Sequence, residues 1–142
     1  MKTRRDTVEV ALGFACNSTG TGVAFARLHG DGVDDVARVS FGCRPLPALH
    51  ERDAAYAALD AVAALVLRRG IRRARFILDE PELVADLAAR RNVPQPLAIP
   101  YVALRCRLNR LTAAEVVSAD AARSCRDLEA RARAEASLDI AA

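Results

Sequence analysis

Tryptophan is absent from this 142-residue chain, and aromatic residues of every kind make up only 4% of it. A core built on stacked rings is therefore excluded, and aliphatic side chains and alanine must fill the interior. Lysine is nearly absent too, with Lys2 the only one among 21 basic residues. The positive charge is thus arginine, which stays protonated and can grip phosphate or carboxylate at two points. A base composition that favours Arg and Ala codons accounts for the bias equally well. No apolar run reaches the roughly 18 residues that crossing a bilayer requires. The basic start at Met1 and Lys2 passes into strand-like alternation without a signal-peptide core. Cys16, Cys43, Cys106 and Cys125 form no CxxC pair and no zinc-like spacing. They read as small buried hydrophobes of a chain in a reducing cytoplasm.

Charged residues supply 27% of the chain, which argues against wholesale disorder. The formal charge of +3 and a pI near 8.9 permit a nucleic-acid partner without demanding one. The length suits a single domain, residues 1–142, with one core.

Alternation marks three strands, over residues 7–16, 22–28 and 33–43. The turn clusters Asn17-Ser18-Thr19-Gly20 and His29-Gly30-Asp31-Gly32 separate them. Short turns of this kind join strands into an antiparallel meander. After Pro45 and Pro47 the period changes. Ala55, Leu59, Val62 and Val66 fall at helical spacing over residues 50–69, and Arg68-Arg69-Gly70 closes the helix. The apolar run Phe76-Ile77-Leu78 is a short strand, reached by a crossover that predicts a parallel neighbour. Pro81 opens a second helix. Residues 100–111 predict a third helix, residues 114–119 a fifth strand, and residues 120–138 a last helix. That helix would set Ala121, Cys125, Leu128 and Ala132 on one face. The order is β-β-β-α-β-α-α-β-α.

That order, in an α/β chain, resembles the ribonuclease H-like family, whose fold is a mixed five-stranded sheet with helices on its faces. Residues carry the resemblance as well. The segment Val8-Glu9-Val10-Ala11-Leu12-Gly13-Phe14-Ala15-Cys16 is similar to the family's first strand, where an apolar run leads to an Asp-Gly-x-Cys-like stretch. Asn17 to Gly22 resembles a shortened Gly/Pro-rich first turn. Glu51-Arg52-Asp53-Ala54-Ala55-Tyr56-Ala57-Ala58-Leu59 resembles the family's Glu-x-x-Ala-x-x-x-Ala-Leu helix, and Arg75-Phe76-Ile77-Leu78-Asp79 its fourth strand. Glu115-Val116-Val117 and then Ala122 to Leu128 resemble the last strand and helix.

The resemblance implies cleavage of the RNA strand of RNA–DNA hybrids, with two Mg²⁺ ions held by four carboxylates. One ion helps generate the nucleophilic hydroxide and the other stabilises the leaving oxygen, about 3.5–4 Å away. Glu51 matches the carboxylate of the first helix and Asp79 that of the fourth strand. Gly13 stands where the first strand's Asp belongs and has no ligand to offer. Glu9 is on the same strand face but about 13 Å away at 3.3 Å per residue, too far to substitute. In the last helix, alignment on Leu128 puts Arg126 at the fourth carboxylate's position. Asp127 lies about 100° further round. An Arg beside Glu51 and Asp79 would pair with them and replace a metal.

The resulting expectation is a ribonuclease H-like protein that binds RNA–DNA hybrid or double-stranded RNA and lacks efficient two-metal hydrolysis. Glu51, Asp79 and Asp127 are its remnant catalytic set, and Glu51 and Asp79 the metal ligands if any metal binds. Arg126, Asn17, Arg90 and Arg91 are its candidate nucleic-acid contacts. No cofactor is expected, with Mg²⁺ or Mn²⁺ needed only if the protein is active. Two rivals stand beside this reading: a metal-dependent ribonuclease of reduced activity, and a protein-interaction scaffold on the same fold. Each acid also has a plain structural reading. Glu51 suits a helix N-terminus, and Asp79 could cap the helix that Pro81 begins.

Overall fold

A computed structural model describes residues 7–89, 93–118 and 123–141. The elements are β1 (Val8–Cys16), β2 (Thr21–Gly30), β3 (Val33–Gly42), α1 (His50–Arg68), β4 (Arg73–Leu78), α2 (Pro81–Ala89), a 3₁₀ turn at Gln95–Leu97, α3 (Ala98–Leu108), β5 (Ala113–Ser118) and α4 (Arg123–Ala141). The strands form one five-stranded sheet in the order β3-β2-β1-β4-β5. The first three strands pair antiparallel, whereas β4 lies parallel to both β1 and β5. The order and the parallel crossover agree with the sequence reading, and among the described residues element ends agree to within three residues.

The side-chain period of two divides the core. On β1, Val8, Val10 and Leu12 point to one face, where they join Tyr56, Leu59, Val62, Leu83 and Leu104 from the first three helices. Ala11 points to the other face, where Val23 and Phe25 of β2 meet Cys125, Leu128 and Ala132 of α4. Ala136 extends the buried stripe of α4, while Ala121 lies outside the described residues. With no Trp available, this second layer is thin, and small residues on both sides let the helix lie close to the sheet.

Arginine ties the helices together. Asp86 of α2 is fully buried. It accepts hydrogen bonds from Arg52 Nε at 3.0 Å and from the Tyr56 hydroxyl at 2.8 Å. Burial, and then the adjacent Asp86 carboxylate, push the Tyr56 phenol up, so it stays a donor. Arg107 of α3 holds Asp60 of α1 at 2.8 Å. On the other face, Arg38 of β3 meets Glu135 of α4 at 2.6 Å, and the Arg131 guanidinium lies over the Phe25 ring at 4.4 Å. Several of the chain's arginines are thus engaged in internal pairing.

Removing one partner of a buried pair strands the other's charge. Asp86→Ala is therefore expected to cost about 3–5 kcal/mol of unfolding free energy in a urea titration. A loss below about 1 kcal/mol would show that Arg52 and Tyr56 find water instead.

Candidate functional site

The register between β1 and β4 sets Val10 beside Phe76 and Ala11 beside Ile77. Continued two residues, it brings Asp79 level with Gly13 at the carboxyl ends of two parallel strands. In open α/β sheets this edge is where ligands enter. The first turn of α1 arrives at the same edge with His50 and Glu51. A cavity of about 480 Å³ opens there, lined by β1 from Leu12 to Cys16, by His50, Glu51 and Ala54, by Asp79 and Glu80, and by Cys125, Glu129 and Arg133 of α4. Glu51 and Asp79 both line this pocket.

Two acids outside the predicted site set share that pocket. Glu80 is half-buried at the head of α2. Burial first, and then the negative charges of Glu51, Glu82 and Asp79, push its carboxyl up to about 7. The carbonyl of Glu80 accepts the Val84 N–H at 3.2 Å, so Glu80 rather than Asp79 holds the N-cap position. Glu129 is the other. It pairs with Arg133 one turn on, at 2.6 Å. Counting four residues from the buried Cys125 finds Glu129 by helical period alone, whereas alignment on the family motif pointed to Arg126.

Arg126 and Asp127 are exposed, and neither lines the pocket. Cys125 and Leu128 occupy the inward face of that turn and turn the two residues between them outward. Asn17 is buried, and its Oδ1 accepts the N–H groups of Thr19 at 3.0 Å and Thr21 at 3.1 Å and the Thr19 hydroxyl at 2.6 Å. That oxygen braces the β1–β2 turn. Arg90 and Arg91 lie outside the described residues. Glu9, at the far end of β1, pairs with Arg75 at 3.6 Å. Phe14 lines the pocket and meets the Phe41 ring edge to face at 6.4 Å.

Gly13 does more than lack a carboxylate. A Cβ placed there would lie 2.2 Å from the Glu129 backbone N and 2.6 Å from the Leu128 carbonyl carbon. The backbone of α4 therefore occupies the space that a side chain on β1 would need. Among the described residues, no three carboxylates bring oxygens within 4.8 Å of one another. The cluster that does meet that distance is Cys16, Cys43 and His50, with Cys16 and Cys43 joined as a disulfide across Cα atoms 7.2 Å apart. This corrects the reading of the cysteines as uniformly buried hydrophobes. Cys125 is buried and Cys106 exposed.

No family model and no curated protein matches the chain. Solved structures do. Ribonuclease H1 of the halophilic archaeon Halobacterium salinarum NRC-1 is 19% identical, with a TM-score of 0.66 over 94% of this chain and 98% of its own. The N-terminal RNase H domain of rv2228c from Mycobacterium tuberculosis, solved as a fusion with maltose-binding protein, is 15% identical, with a TM-score of 0.65 over 94% and 98%. LC11-RNase H1, solved in complex with RNA/DNA hybrid, is 10% identical, with a TM-score of 0.62 over 91% and 98%. The fold of this chain is ribonuclease H-like.

The raised carboxyl of Glu80 ties stability to pH. Its folded value of about 7 lies above the ordinary 4.5, so the folded state holds a proton that the unfolded state releases. Its contribution is complete below pH 4.5 and is lost as pH rises through 7. Glu80→Gln is expected to flatten the decline of stability across that interval. Unchanged pH dependence of urea midpoints in the variant would refute the assignment.

Proposed function

We propose that this protein binds RNA–DNA hybrid or double-stranded RNA on its ribonuclease H-like scaffold and does not carry out efficient two-metal hydrolysis. The fold supports the first part, together with a neighbour of the same fold that was solved with RNA/DNA hybrid. The observation that carries the second part is the close approach of α4 to Gly13. A two-metal site needs oxygen ligands that clamp both ions. Here β1 supplies none, and the helix backbone fills the place from which it would come. Glu129 is held by Arg133, and the described carboxylates do not converge on one coordination sphere. The donor set therefore does not fit a pair of Mg²⁺ ions, and no hydrolytic step is routed through them.

One observation favours the rival reading of a ribonuclease with reduced activity. Glu51, Asp79, Glu80 and Glu129 all line a single pocket. Glu51 and Asp79 are also the two acids that match the family's positions. One ion held loosely between them would give slow cleavage. The scaffold reading has no comparable observation behind it.

A labelled RNA–DNA hybrid, incubated with the protein in Mg²⁺ or Mn²⁺, separates these outcomes. The proposal expects a shifted, uncleaved band whose affinity falls steeply with added salt, as release of condensed counterions requires. Absence of a shift at low salt would remove the binding assignment. Cleavage at an ordinary rate that Asp79→Asn abolishes would establish the enzyme instead.

A further inference from the structure

Cys16 ends β1, Cys43 follows β3, and His50 begins α1, yet one ligand atom from each lies within 4.8 Å of the other two. We propose that in the reduced protein these three side chains bind a thiophilic divalent cation, Zn²⁺ being the best match. Two thiolates and an imidazole are the donors that Zn²⁺ prefers. At a Zn–S bond of about 2.3 Å, tetrahedral geometry sets two sulfurs about 3.8 Å apart, so the sulfurs, bonded in this structure, separate on reduction to admit the ion. A direct disulfide fits the backbone less well. The Cα atoms of Cys16 and Cys43 are 7.2 Å apart, beyond the usual range of about 4.4–6.8 Å. A metal between the sulfurs accommodates that wider span.

The surroundings of the cluster are organised for ligation. His50 Nδ1 stands 3.2 Å from the Arg44 carbonyl oxygen. Donation of Nδ1–H to that carbonyl leaves Nε2 with the lone pair, the usual outer contact of a metal-bound histidine. Arg44 is itself fixed, since its N–H and guanidinium both reach the buried Asp53 at 2.9 Å and 2.8 Å. The Cys43 N–H is held by the Gly20 carbonyl at 2.8 Å. Binding releases one proton from each thiol and transfers no electron, whereas closing the disulfide needs an oxidant to take two electrons. Cys16 and His50 also line the acidic pocket, so a fourth position would open toward it for a water. The site does not depend on whether the protein binds nucleic acid.

The test is Co²⁺ titration of the full chain, reduced with a phosphine and kept free of oxygen. The expected result is one equivalent bound, with tetrahedral visible bands and thiolate-to-cobalt charge transfer of an intensity matching two thiolates, all displaced by one equivalent of Zn²⁺. Cys16→Ser, Cys43→Ser and His50→Asn should each abolish that spectrum, and Cys106→Ser should leave it intact. Circular dichroism reports whether each variant folds. The wild-type band intensity counts thiolates even if a variant does not. Absence of thiolate charge transfer in the reduced wild type would overturn the proposal. So would a spectrum that Cys106→Ser removes.

Discussion

The contact between Gly13 and the backbone of α4 is the constraint on which the rest of this structure depends. Only a residue without Cβ allows a helix to lie so near a central strand. The neighbours of Gly13 on that face of β1 are Ala11 and Ala15, and α4 answers with Cys125, Leu128 and Ala132. Alanines and aliphatic residues on both sides make a thin layer, with Phe25 as its large ring. The pairs Arg38–Glu135 and Arg131–Phe25 pin the rim of the same helix. The direct approach of α4 also determines what the pocket can hold. The space that would receive a carboxylate from β1 contains peptide groups, and the same pocket carries Glu129 already engaged by Arg133. The close packing of α4 and the lack of a side chain at position 13 are therefore one feature, read at two levels.

Much of the architecture was legible in the residues. Glycine-rich turns separated three alternating strands, and the change of period after Pro47 marked α1. The apolar run at Phe76 gave a buried parallel strand. Those signals are local, because each depends on a few adjacent residues and one periodicity. The meeting of Glu51 and Asp79 followed from strand order and register. What the sequence concealed is three-dimensional. Alignment on Leu128 sets Arg126 at the fourth carboxylate's position with Asp127 beside it, but the angular position of α4 is set by burial of Cys125 and Leu128, which turns both outward. Glu129 and Arg133 take the side that lines the pocket. Asn17 had the residue type of a surface contact, yet its carbonyl oxygen is filled by its own turn.

The cysteines show the same limit from the other side. Sequence separations of 27 residues between Cys16 and Cys43, with His50 a further stretch along, match no local ligand pattern. Three separate elements deliver these side chains to one point, and only the closed β1–β2–β3 meander places them there. The pocket thus has two chemically distinct walls. One carries hard carboxylate oxygens, with burial and then its acidic neighbours pushing the Glu80 carboxyl up, and the other carries soft sulfur and imidazole. Arg44 and the buried Asp53 stiffen the loop between β3 and α1 that supplies the second wall.

The account stands on α4 filling the place of a β1 side chain, and Gly13→Ala tests that with the smallest possible change. In a strand free of close contacts, replacing Gly by Ala stabilises a protein by about 0.4–1 kcal/mol through the unfolded chain. Against the helix backbone, the added methyl must displace α4. Urea unfolding is therefore predicted to show a loss of about 1–3 kcal/mol, in line with overpacked cores. Equal or greater stability in the variant would mean that α4 does not occupy that space, and that the pocket can still accept a carboxylate from the first strand.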